Sequence, residues 1–146
     1  MRRATLTALV EMDAERFNVL RRRDQLPFVG AAESERGWQE FSLQDAFKLR
    51  MMLDLMVGSG LGPAEAKSVL HGASMIDVRH AAETTPDLWF GEFTKPGGEF
   101  GGHFGTLVQL ADRLDKPGHS SRIILVNASR AARALLARAA DLGIAD

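Results

Sequence analysis

Two short amphipathic stretches, joined through one capping aspartate and closed by a Leu-Pro pair, constrain this chain more than any other feature. Leu6, Leu9 and Val10 stand at i, i+3 and i+4, a spacing that predicts a helix over residues 5–12 with one apolar face. Asp13 follows at the place of an N-cap, where its carboxylate can accept from the open amides of the next helical turn. That next helix is expected over residues 14–24 and carries the run Arg21-Arg22-Arg23. Leu26-Pro27 should end it, because proline disfavours helical geometry in the residue before it. Phe17 and Leu20 share a face with Asp13 and Asp24, whereas Glu15, Asn18 and Arg22 fall on another. The outward face is therefore short, polar and partly basic, the form taken by a helix that enters a DNA groove.

Residues 29–37 lack periodicity and read as a hairpin tip or loop. Trp38, Glu40 and Ser42 alternate with Gln39 and Phe41, which predicts a short strand returning from it. Ser42 and Asp45 resemble a capping box, opening a helix to about residue 57 with a stripe of Ala46, Leu49, Met52 or Leu53, and Met56. Gly58-Ser59-Gly60 stops it. Pro63 starts a shorter helix, at the first helical position where its missing N–H costs nothing.

Beyond residue 75 the pattern changes. A linker or an extra helical turn is expected over 75–86, then strands over 88–94 and 99–104 around the turn Lys95-Pro96-Gly97-Gly98. Leu107, Leu110, Ala111 and Leu114 have helical spacing. The apolar run Ile123-Ile124-Leu125-Val126 predicts a strand buried on both faces, and a last helix should end at Gly143. The expectation is an α+β chain in two units, residues 1–74 and residues 75–146, the second a small α/β unit.

Composition excludes several classes. With 45% apolar and 25% charged residues, the chain is neither disordered nor fibrous. No apolar run approaches the ~18 to 20 residues of a membrane span, and Met1-Arg2-Arg3 is not followed by the apolar region of a secretory signal. With no cysteine there is no disulfide framework or thiolate metal site, and the cytoplasm is the expected location. The net charge is −1, but residues 1–27 hold six arginines against four acids, a net of +2 beside the candidate groove helix.

The amino-terminal half resembles the MerR-type winged helix-turn-helix superfamily. Asp13, Phe17, Leu26 and Pro27 occupy the places of its capped second helix and the Leu-Pro pair that closes it. Trp38-Gln39-Glu40-Phe41-Ser42, then Asp45 and a long helix, match the strand that closes its wing and the acidic residue and helix after that strand. Gly58 to Glu65 matches its glycine turn and short acidic helix, so the resemblance covers about residues 4–72. It implies a mostly helical winged helix-turn-helix with a short β wing, which binds double-stranded DNA as a homodimer and regulates transcription. The implied DNA contacts are Glu15, Arg16, Asn18, Arg21, Arg22 and Arg36. Asn18 and Gln39 stand where the family often has phosphate-binding arginines, which implies weaker or more dimer-dependent binding. Arg16, Arg21, Arg22 and Arg36 can compensate. No dimerising heptads follow Gly72, so residues 75–146 are expected to supply the dimer contact or an effector or protein-partner site.

The remaining chemistry reads blandly. The run Gly97 to Gly105 lacks the Gly-Lys-Ser/Thr ending of a phosphate loop, and the four histidines show no metal-ligand spacing. No nucleophile, base and orienter stand together, so neither an enzyme, a cofactor nor a metal is expected. The second functional expectation is a protein-interaction adaptor or phage-assembly component, of small-terminase or excisionase kind, built on the same fold. The acidic wing residues Glu33, Glu35 and Glu40 and the near-zero net charge favour it.

Overall fold

The computed structural model describes residues 1–28, 39–71, 76–95, 97–116 and 122–144, which form an α+β structure of seven helices and one three-stranded antiparallel sheet. The first two helices are α1 (Arg3–Leu9) and α2 (Ala14–Arg22). Both end in the same way. Glu11 (φ 56°) and Asp24 (φ 52°) adopt the left-handed conformation. The next amides turn back to close each helix, Met12 N–H onto Thr7 O at 2.9 Å and Gln25 N–H onto Leu20 O at 2.8 Å. The second helix thus stops at Arg22, two residues before the expected Asp24, because this hydrogen-bonded cap already turns the chain. Leu26 and Pro27 are buried instead.

Helix α3 (Leu43–Gly58) opens on the expected capping box: Ser42 Oγ accepts from Asp45 N–H at 3.0 Å and Asp45 Oδ2 accepts from Ser42 N–H at 2.8 Å. It is buried on more than the expected stripe, since Phe47, Met51 and Leu55 are as enclosed as Ala46, Leu49 and Met52. The cause is its place in the fold, with α4 (Pro63–His71) packed against it on one hand and α7 (Ala128–Asp141) on the other. No strand forms over residues 39–42. Phe41 N–H donates to Met1 O at 2.7 Å and the terminal amine of Met1 donates to Phe41 O, so the chain start takes the groups a returning strand would pair. The rest of the expected wing, including Arg36 and Trp38, lies outside the described residues, as does the expected boundary near residue 74.

Asp77 caps the short α5 (Val78–Glu83) through the amides of Arg79 and His80, and Gln44 of α3 holds its entry by donating to Ile76 O at 2.6 Å. The sheet comes next: β1 (Trp89–Thr94), β2 (Phe100–Gly105) and, after α6 (Leu107–Leu114), β3 (Arg122–Asn127), in the order β2-β1-β3. Pairing Gly91 with His103 and with Leu125 places alternate residues on two faces. One face, with Phe90, Ile124 and Val126, joins the main core; the other, with Gly91, Phe93, Ile123 and Leu125, lies under α6. Gly91 makes that second layer possible, because a Cβ there would stand 3.0 Å from Ile123 Cδ1 and 3.4 Å from Leu110 Cδ1.

The run Ile123 to Val126 does form a strand, but only Val126 is fully buried. As an edge strand it has helices over both faces and an open flank, which leaves its other side chains half-buried. Helix α7 then runs back across the molecule and touches α1, α3, α5 and β1. One cluster of buried side chains extends from Leu6 through Phe47 to Phe90 and Leu135.

Two contacts lock α7 to the start of β1. Asp87 takes a paired hydrogen bond from Arg133 at 2.9 and 3.0 Å and a third from Asn127 at 3.0 Å, which hold its carboxyl below the usual carboxylate range. The other contact is buried: Leu88 N–H donates to Ser129 Oγ at 2.7 Å, and Ser129 N–H donates to Leu88 O at 3.0 Å. Ser129→Ala should cost about 1 to 3 kcal/mol in chemical denaturation, because it strands a buried N–H. A loss below a few tenths of a kcal/mol would show that water replaces the hydroxyl.

Among the described residues, no helix is long and apolar enough to cross a membrane.

Candidate nucleic-acid interface

The outward face of α2 collects most of the site residues expected from sequence. Asp13 caps the helix, its Oδ1 accepting from Glu15 N–H at 2.6 Å. Phe17 and Leu20 are buried, which fixes the inward direction. At about 100° per residue, Glu15, Asn18 and Arg22 then project furthest outward, with Arg16 and Arg21 on opposite flanks. The expected division of faces is therefore present.

Three contacts set the position of that face. Phe17 meets Phe41 edge-on with ring centroids 5.7 Å apart, pinning the middle of the helix to the segment before α3. Arg3 Nη1 donates to Asn18 Oδ1 at 2.9 Å, tying α2 to α1. Lys67 of α4 donates to Asp24 O at 2.6 Å, with its Nζ 3.4 Å from the Asp24 carboxylate, which holds the far end. A helix braced at its middle and its carboxyl end can present side chains to a partner without reordering.

The electrostatics of the face are one-sided. Arg16, Arg21, Arg22 and Arg23 are exposed, and none lies within ion-pair distance of a carboxylate among the described residues. Arg21 to Arg23 also sit at the helix carboxyl end, where cations are favoured. Glu15 is the exception, an acid in the first turn where the helix dipole stabilises it. A carboxylate there repels phosphate but can accept from the exocyclic amine of cytosine.

Of the six candidate residues, five come together on α2, and Arg36 lies outside the described residues. Asn18 is not open as expected, since Arg3 occupies its amide oxygen; its amide NH₂ remains the group for an acceptor. Sequence reasoning missed Arg3 as a member of this face. It also missed Lys67, which clasps α2 from 43 residues away and leaves no local signal.

Elsewhere His103 packs edge-on against Phe93 with centroids 5.8 Å apart and lies 3.3 Å from Arg113 Nη1, a structural position. Among the described residues, no three His, Asp or Glu side chains converge on a point that could hold a metal ion.

The chain matches no protein-family model and no curated protein.

Proposed function

We propose that the chain is a sequence-specific double-stranded DNA-binding regulator of the MerR-type winged helix-turn-helix kind, acting as a homodimer in the cytoplasm. The observation that carries this reading is the braced α2 with four exposed arginines and, among the described residues, no carboxylate partner for any of them. In this reading α2 lies in the major groove. Glu15, Asn18 and Arg22 reach base edges, and Arg16 and Arg21 reach phosphates on either side. Arg36 adds a further backbone contact.

One such module makes too few contacts for high affinity, so two copies bind half-sites about one helical turn, or a multiple of it, apart. Residues 75–146 supply the dimer contact or a partner site in this reading. Leu107 and Val108 at the start of α6, 48% and 72% exposed, offer apolar surface for that purpose.

The test is selection from a random duplex library at near-physiological salt, with Arg22→Ala as control. Enrichment of a two-fold-symmetric motif is expected, with affinity reduced by roughly 1 kcal/mol or more in the control. An unchanged affinity and salt slope for Arg22→Ala would remove α2 from the groove. If the folded protein enriches nothing, the adaptor reading takes over. Its supporting observations are the net charge of −1 and the acidic residues Glu33, Glu35 and Glu40.

A further inference from the structure

A cleft of about 370 Å³ opens where the carboxyl end of α3 meets β1, β3 and the first turn of α7. Its polar wall is Arg50, Asp54 and Arg130, and its apolar wall is Trp89, Leu125 and Val57. Arg50 is held between two acids, Nη1 at 3.5 Å from Glu11 Oε2 and Nε at 3.4 Å from Asp54 Oδ1. That second contact is too long for a good hydrogen bond, and the buried Nε–H has no acceptor. Burial pushes the Asp54 carboxyl above its usual range, against the opposing pull of Arg50 and Arg130.

Arg130 is exposed and makes no ion pair among the described residues. The lining carries the guanidiniums of Arg50 and Arg130 and the carboxylate of Asp54, with Glu11 behind Arg50 and the amino end of a 14-residue helix beside them. Val57, at the apolar wall, is 84% exposed, although a large aliphatic side chain gains by being covered.

We propose that this cleft binds a small organic carboxylate with an apolar body, its carboxylate held by Arg50 and Arg130 and its body against Trp89, Leu125 and Val57. Guanidiniums match a carboxylate in planar geometry and charge. The volume falls within the range of small-molecule sites, and the mixture of an apolar wall with a few polar groups is their usual composition. Two sources share this chemistry: apolar amino acids, whose ammonium would face Asp54, and acids that lack the amine. The cleft includes none of the outward residues of α2, so its occupancy is measured without DNA. It also reaches the turn after α1, because Arg50 holds Glu11.

The experiment is titration of the full chain with 3-phenylpropionate, followed through the indole N–H resonance of Trp89 and the amide of Glu11. Trp38→Phe assigns the two indole signals. A saturable shift of both resonances is expected, with Kd on the order of 1 mM. Binding should be about tenfold or more weaker for the neutral amide 3-phenylpropanamide, and for Arg130→Gln, which leaves the α7 backbone cap in place. L-phenylalanine separates the sources: tighter binding than 3-phenylpropionate assigns the site to amino acids, weaker binding to amine-free acids. No saturable shift with either acid at millimolar concentration would overturn the proposal. So would equal binding of the amide, an unaffected Arg130→Gln, or the same response to inorganic phosphate, which has no apolar body.

Discussion

Replacing Phe17 with alanine is expected to lower the unfolding free energy by about 3 to 5 kcal/mol, the usual cost of deleting a buried phenyl ring. Phe17 has no exposed surface, so the variant loses both the transfer energy of the ring and its contacts with the walls of the void left behind. The site also has little means of collapsing. The ring stands edge-on to Phe41, and Phe41 stands edge-on to Phe28 at 5.7 Å, so removing the first leaves the second without its partner. Phe41 is fixed through its main chain to Met1 and cannot slide into the gap. Set against a typical domain stability of about 5 to 15 kcal/mol, the loss threatens folding near body temperature. Urea denaturation measures it. Phe17→Leu should recover part of the loss by refilling the volume without the edge-on geometry. A cost under about 1 kcal/mol for Phe17→Ala would mean that α2 is not seated on this cluster. The placing of Glu15, Asn18 and Arg22 on the outward face would then lose its basis.

The features that sequence made legible are those encoded by a residue and its near neighbours. Asp13 caps α2, Ser42 and Asp45 close a capping box, Pro63 opens α4, and Gly143, at φ 63°, comes just after the end of α7. The hairpin was readable for the same reason: Gly97 and Gly98 supply the positive φ angles that the turn between β1 and β2 needs. The features that escaped depend on which distant elements become neighbours. An apolar run such as Ile123 to Val126 says that both faces are covered, but not that the strand lies at an edge. The edge position comes from the β2-β1-β3 order, which no local pattern encodes. Helix α3 carried a signal that a single stripe did not use. Leu43, Phe47, Met51 and Leu55 continue at helical spacing on a second face, so the helix is apolar around much of its circumference, as a central helix should be. At the candidate interface the outward face of α2 was legible because periodicity defines it. The clasp of Lys67 on Asp24 and the pairing of Arg3 with Asn18 were not, because long polar side chains choose their partners only once the backbone is placed.

Leu135→Ala in α7 is expected to destabilise the amino-terminal helices as much as the sheet, by about 2 to 5 kcal/mol in a single transition. The reason lies in how α7 is built. Ala128, Ala131, Ala132 and Ala139 keep its inner face thin, so its backbone can approach α3 and α5 closely, and Leu135 is the one large side chain among them. That helix belongs to the carboxyl-terminal half of the chain, yet it packs on α1 and α3 of the other half. A void at Leu135 therefore removes support from both halves at once. Far-ultraviolet circular dichroism tracks the helices, and the fluorescence of Trp89 in a Trp38→Phe background tracks β1. Coincident melting of the two signals, in the parent and in Leu135→Ala, is the expected result for one cooperative unit. If instead the Trp89 signal melts early while the amino-terminal helices persist, residues 1–74 and 75–146 are separate domains that share only an interface. The proposed DNA-binding unit could then be isolated without its carboxyl-terminal companion. Under cooperative unfolding it could not, and α2 would be presented correctly only by the whole chain.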